Sequence, residues 1–297
     1  MTSGTHGTTN PADILAADTA MGAVTLRVAD LDRMIGFYRD GVGLDLLAQD
    51  GDSAILGRIG RPSLILKVAP ELRHAGDHEA GLYHTAFLFT RKSDLAAAVK
   101  SVAHRHPSSF TGSSDHFVSN AFYFDDPEGN GVELYWDTER QLWEWDNGSV
   151  RMGTVYLDPN AFLRENLTDA GFEKPGDGDV GVGHVHLKVG DIPTAKRFYV
   201  DTLGFEITFE YGSQALFVSA GGYHHHVGMN TWQSSGAGTR TPALGLGQVS
   251  IEVPSADDLG SLRERLASAH VPVIDDGAGL AFDDPWSNLV KVVPAAS

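Results

Sequence analysis

An α+β fold of four βαβββ modules in two tandem domains is predicted by three features of this 297-residue chain. The first is duplication. VTLRVADLDRMIGFYRDGVGLDL and GHVHLKVGDIPTAKRFYVDTLGFEI overlay with the identities Val28/Val189, Asp30/Asp191, Phe37/Phe198, Tyr38/Tyr199, Asp40/Asp201 and Gly43/Gly204, each pair 161 positions apart. The second is a repeated turn, FDDPEGN at 124–130 and FDDPWSN at 282–288. The third is length, which allows two domains of about 150 residues, each holding two copies of a unit that alternates strand and helix patterns.

The elements follow in order. Residues 1–20 are polar and Gly/Thr-rich and are expected to form a loose tail. The N-terminal domain is expected over 21–137. Ala23–Val28 alternates as a strand, Asp30 is placed to cap a helix, and Leu31–Tyr38 has helical spacing that stops at Gly41-Val42-Gly43. Strands are predicted at Leu44–Ala48, Ser53–Leu56 and Ser63–Val68, completing the first module. The second module begins with a strand at Tyr83–Phe89, continues with an Ala-rich helix at Ser93–Val102 and ends in a hairpin over Tyr123–Trp136. Residues 138–180 break the pattern with the strip Leu142-Trp143-Glu144-Trp145, a short helix around Pro159–Ala170 and a Gly/Asp-rich stretch. They are expected to link to the C-terminal domain, 181–297.

Chemistry concentrates in Ala121–Asp137, AFYFDDPEGNGVELYWD. Its Asp/Pro/Gly/Asn cluster is a turn between two strand-like runs. On the second run Val132, Leu134 and Trp136 point one way and Glu133 and Tyr135 the other. A carboxylate on a rigid strand is suited to hold a metal; the plainer reading is a solvated edge-strand residue.

Composition narrows the function classes. A formal net charge of −17 argues against nucleic-acid partners, which need a basic footprint. The sequence has no apolar run of the roughly 18 residues a membrane span requires. MTSGTHGTTNPAD shows neither the basic residues nor the apolar stretch of a secretory signal, so a cytoplasmic setting is expected. With no cysteine, any metal must be held by His, Asp or Glu, a donor set suited to Fe(II), Mn(II) or Zn(II). No glycine-rich phosphate cradle follows a strand, so no organic cofactor is expected.

Four such modules, with D-x₆-F-Y-x-D-type helices and a Y-F-x-D-P-x-G-N-x-V-E-L-Y hairpin, resemble the vicinal oxygen chelate superfamily. Within it, the G-L-Y-H strand and S-A-G-G-Y-H-H-H segment resemble the extradiol ring-cleaving, catechol 2,3-dioxygenase-like proteins. The resemblance covers roughly residues 21–294 and implies the glyoxalase/bleomycin-resistance/extradiol dioxygenase fold. In that superfamily, residues on the first and last strands of paired modules hold the metal in a cup. Carried over by position, module one has Ala23 and no ligand, module two has His84 and Glu133, module three has His184 with His186 on the same face, and module four has Gln248 and Lys291. An ammonium cannot replace a carboxylate, so the C-terminal half lacks the usual extradiol pair. The resemblance therefore implies a central cup from modules two and three, with His84, Glu133 and His184 as ligands and His186 in reserve.

It further implies Fe(II), with Mn(II) as the alternative, and a small aromatic diol and O2 as reactants. A homo-oligomer is compatible with it. On a strand, His224 and His226 would point inward and His225 away; the resemblance assigns His226 the acid/base role, with His224 as an alternative base. Tyr123 matches a tyrosine that hydrogen-bonds the substrate oxygen, and His116 is a candidate behind it. His6, His74, His78, His104, His106 and His270 read as surface residues. Two rivals stand beside the dioxygenase: a redox-neutral, glyoxalase-like isomerase or lyase with His224 as fourth ligand, and a metal-free protein that binds an aromatic, drug-like molecule.

Overall fold

The alternating segment after Met21 forms the strand Val24–Val28, almost wholly buried. Asp30 then caps a helix, its carboxylate accepting from the Arg33 amide and satisfying a donor that a helix start leaves free. The helix runs as α over Leu31–Gly36 and widens to π over Phe37–Val42, ending at Gly43 with φ 94°. Module three repeats this succession: Asp191 caps on Thr194, and Ile192–Lys196 passes into a π segment at Arg197–Thr202. The computed structural model describes residues 13–295, so His6 and residues 1–12 of the expected tail lie outside the described residues.

The duplicated motifs meet in space, and their purpose is structural. The buried Tyr38 hydroxyl donates to Asp126 of the hairpin turn (2.8 Å), and Tyr199 donates to Asp284 of the second copy (3.0 Å). Asp126 also accepts from the amides of Glu128 and Asn130 and from the Asn130 side chain. Burial pushes the Asp126 carboxyl up to about 6 in spite of these donors. The turn sequence is thus a socket for the preceding module's tyrosine.

Each module folds as a four-stranded ribbon, and modules join across the two halves of the chain. The strand Gly81–Phe89 runs antiparallel to Val180–Lys188, so modules two and three share a nine-stranded sheet. Modules one and four share a second sheet, through Val24–Val28 and Gly245–Val253. The outer faces of both sheets and the helices enclose one apolar core that includes Leu26, Phe37, Phe87, Leu134, Tyr199 and Ile251. Val132 and Leu134 enter this core, whereas Tyr135 lies on the opposite, concave face with Ala86 and Ala121. That split is what period-two alternation dictates.

Two expectations about the connecting segments need correction. Residues 13–20 pack rather than trail: Leu15 is buried with its amide bonded to the Gly204 carbonyl, and Ala20–Met21 pairs with Glu252 and Ile251. Residues 138–180 are more than a link. Trp143 packs with Val118 and Val150, and Val155–Tyr156 adds a strand beside Phe110–Asp115. The single helix expected around Pro159–Ala170 is two, Pro159–Asn166 and Asp169–Glu173. Leu167 turns to extended backbone and Thr168 starts the second helix by accepting from the Gly171 amide. His106 is half-buried against Phe37 rather than on the open surface. Among the described residues no helix is long and apolar enough to cross a membrane.

Candidate metal centre

Three neighbouring strands build the site on the concave face of the central sheet. Gly81–Phe89 carries His84, the parallel strand Gly131–Asp137 carries Glu133, and the antiparallel strand Val180–Lys188 carries His184 and His186. Gly131 sits opposite His84, where a Cβ would lie 2.2 Å from the Tyr83 carbonyl oxygen. Only glycine permits that approach of the two strands, which brings Glu133 beside the histidines.

His84 Nε2 lies 2.9 Å from Glu133 Oε2, and His184 Nε2 lies 3.2 Å from the same oxygen. All three side chains are buried, at 6%, 2% and 2% exposure. Neighbouring donors of an octahedral ion with bonds of about 2.1 Å are about 3 Å apart, so this spacing fits a metal. Despite this proximity the buried His84 Nε2 makes no hydrogen bond among the described residues. A buried polar nitrogen left without a partner costs on the order of 1–3 kcal/mol, which a metal ligated there would relieve.

Electrostatics points the same way. Burial pushes the Glu133 carboxyl up, but the His184 and His84 imidazoles together outweigh it and hold the group well below the usual carboxylate range. Burial brings His184 down to about 4. A carboxylate beside a neutral imidazole is the state in which these groups bind metals.

The cluster opens on a cavity of about 1030 Å³ whose lining includes Tyr83, His116, Tyr123, His186, His225 and Trp232. His186, the reserve ligand, packs between Tyr83 and Trp232, and its Nε2 accepts from the Asn230 side chain (3.1 Å). It stands as cavity wall. Tyr123 pairs in register with Glu133 on the adjacent strand, and its hydroxyl is 2.7 Å from His116 Nε2. His116 Nδ1 lies 2.6 Å from the Gly153 carbonyl oxygen. A carbonyl only accepts, so His116 is protonated at Nδ1 and its Nε2 accepts a hydrogen bond from the Tyr123 hydroxyl. Burial, with Glu133 nearby, raises the Tyr123 hydroxyl well above its usual range and keeps it a donor.

The triple histidine departs from the sequence expectation. Gly221 and Gly222 adopt φ of 61° and 66° and delay the strand, which spans only Val227–Asn230. His224, His225 and His226 therefore lie in the loop before it, and strand alternation does not apply. His225 faces the cavity, its ring tilted against that of His184 with centroids 4.1 Å apart. His226, expected to face inward, is buried beside Phe205 and Tyr223, and its Nδ1 accepts from the Ala220 amide. Burial brings it down to about 3. His224 has one ring nitrogen on Asp137 (2.9 Å) and the other on His225 (2.7 Å), so it is not free to serve as a fourth ligand. His184, His224 and His225 also cluster closely enough to suggest a second ion, but these hydrogen bonds account for the contacts of His224. The Gly221-Gly222 pair before Tyr223 is the sequence signal that the strand starts later than the histidine run.

Module four carries no comparable cluster among the described residues. Gln248 donates to Ser250, and Lys291 pairs with Asp276 at 2.8 Å. Gln248→Ala and Lys291→Ala are expected to leave metal content unchanged by elemental analysis. Loss of bound metal in either would relocate the site to the C-terminal half.

Comparison with known proteins agrees with this architecture. The family model described as the Glyoxalase/Bleomycin resistance protein/Dioxygenase superfamily matches residues 20–134 and 181–292. A catechol-2,3-dioxygenase from Bacillus subtilis (strain 168) is 35% identical over 275 residues, covering 91% of this chain and 95% of that protein. Among solved structures, a provisionally assigned dioxygenase from Bacillus subtilis superposes with a TM-score of 0.64 at 16% identity, covering 94% and 86% of the two chains. Glyoxalase I from Zea mays superposes with a TM-score of 0.55 at 15% identity, covering 93% and 92%. At such identities the structures speak for the fold alone, whereas the bacillar sequence match spans both domains. The chain belongs to the Glyoxalase/Bleomycin resistance protein/Dioxygenase superfamily, as a catechol-2,3-dioxygenase-like enzyme.

Proposed function

We propose that this enzyme is a non-haem Fe(II)-dependent extradiol dioxygenase that opens a catechol-type ring with O2, with Mn(II) as the alternative ion. The observation that carries this reading is the convergence of His84, Glu133 and His184 at the wall of a cavity lined by aromatic and imidazole rings. Two histidines and one carboxylate form a facial set that leaves coordination positions open. When bound, the ion would supply a chelation point for both diol oxygens and a route for electron density to O2.

The remaining work falls to side chains of this chain. Tyr83, His186 and Trp232 offer ring faces and edges to an aromatic substrate. Tyr123 donates a hydrogen bond to His116, which leaves its oxygen lone pairs to accept from a substrate hydroxyl and hold it in orientation. His225, in place of His226, stands at the cavity wall to take a proton from the diol and return it later. Both atoms of O2 enter the ring-opened product, so no external reductant is required. An isomerase-type site would favour a fourth protein ligand, and the ring nitrogens of His224, the candidate for it, are engaged with Asp137 and His225.

The test is O2 uptake by anaerobically purified, iron-loaded protein with a panel of alkyl- and aryl-substituted catechols. Uptake with formation of a yellow ring-opened semialdehyde is expected. Absence of uptake across the panel, with iron occupancy confirmed, would overturn the reading.

A further inference from the structure

Behind His225 runs a chain of hydrogen bonds, from the partly buried Asp137 to the buried His224 and His225, which the ligand set and the cavity wall do not explain. His224 Nε2 is 2.9 Å from Asp137 Oδ1, and His224 Nδ1 is 2.7 Å from His225 Nδ1. The other carboxylate oxygen accepts from the Tyr223 hydroxyl at 2.8 Å, which in turn is 2.8 Å from the Tyr135 hydroxyl. We infer that Asp137 and His224 are positioning residues that lock His225 in the tautomer protonated at Nδ1, presenting a bare Nε2 to the cavity.

A carboxylate oxygen accepts, so the His224 nitrogen facing it carries the hydrogen. A neutral imidazole has one N–H, which leaves His224 Nδ1 a lone pair. The short contact to His225 Nδ1 then needs its hydrogen from His225. With that hydrogen placed, His225 Nε2 is unprotonated. His225 lines the cavity, and among the described residues its ring hydrogen-bonds to His224 alone. Which nitrogen of a histidine is available is set by the bond the other makes, and here the setting is relayed through a second ring.

The surroundings favour a single arrangement. His224 is 1% exposed and enclosed by Trp143, Tyr135 and Tyr223, with ring centroids at 5.3, 6.1 and 4.1 Å. In so dry a place an unpaired ring N–H is costly, which penalises any flip that breaks the chain. Asp137 closes the strand that carries Glu133. The register that delivers the ligand therefore also delivers the carboxylate that orients the base.

The inference rests on the dioxygenase reading for its purpose, but its geometry is tested independently of turnover. In the full-length, Zn(II)-loaded protein labelled with 15N-histidine, two-bond 15N–1H couplings report each ring's tautomer, and His225→Gln assigns the signal. The expected result is His224 protonated at Nε2 and His225 at Nδ1. In Asp137→Ala the His225 signal should become a mixture of tautomers. In Tyr223→Phe, which removes the other hydrogen bond of the same carboxylate, it should stay in the Nδ1–H form. In iron-loaded Asp137→Ala, kcat should fall by about 10- to 100-fold, with KM within about threefold and iron content unchanged. A wild-type His225 protonated at Nε2 would overturn the inference, as would an Asp137→Ala variant with wild-type kcat. If no catechol drives O2 uptake, the function fails while the tautomer measurement still decides the chain.

Discussion

Alanine at His84, Glu133 or His184 is expected to leave a folded protein without its metal. Each side chain supplies one of three donors that meet around Glu133 Oε2, and no other described carboxylate joins this group. Replacing even an outer partner of a metal ligand weakens affinity by about 10- to 100-fold, so removal of a ligand should take bound metal below about a tenth of an equivalent after dialysis. The fold should survive, because the three residues sit on the concave face, apart from the apolar cluster that holds sheets and helices together. Glu133→Ala also removes a buried carboxylate whose ionised form is held by two imidazoles. Elemental analysis with circular dichroism checks both halves of the expectation. A full equivalent of iron or manganese retained by all three variants would remove this site. Loss confined to His186→Ala would move the ligand two residues along the strand.

His225→Ala should keep iron bound and lose turnover by about 10²- to 10⁴-fold, the range for removing a positioned acid/base. The paired comparison is His226→Ala. His226 is packed against Phe205 and Tyr223 beneath the loop, so its removal should lower thermal stability through lost packing and leave kcat within a few-fold. Steady-state kinetics at saturating O2, with iron quantified in each sample, separates the two. If His226→Ala abolishes turnover while His225→Ala does not, the loop geometry described above misplaces the base, and strand alternation was the better guide.

The contrast between these two histidines shows where sequence reasoning reaches its limit. Local periodicity determined a great deal: Glu133 and Tyr135 on one face, Val132 and Leu134 on the other, and Asp30 as a cap are all set within a few residues. Repetition at fixed offset determined the modular plan. The resemblance nominated His84, Glu133 and His184, which the folded chain brings within a few ångströms of one another. Loop conformation and long-range pairing were decided only in three dimensions. Two positive-φ glycines ended the alternation that would have turned His224 and His226 inward, and nothing in HHH itself says where a strand begins. The Tyr38–Asp126 contact spans 88 positions, and the bond from Asp137 to His224 spans 87. Both depend on how modules dock, and docking is set by the burial of whole faces rather than by any local pattern. The stretch 138–180 looked like a connector because its apolar residues lack a period, yet Trp143 and Phe162 find their partners on the hairpin strands and their flanking loops. Aperiodic apolar residues acquire a structural meaning only when a surface exists for them to cover.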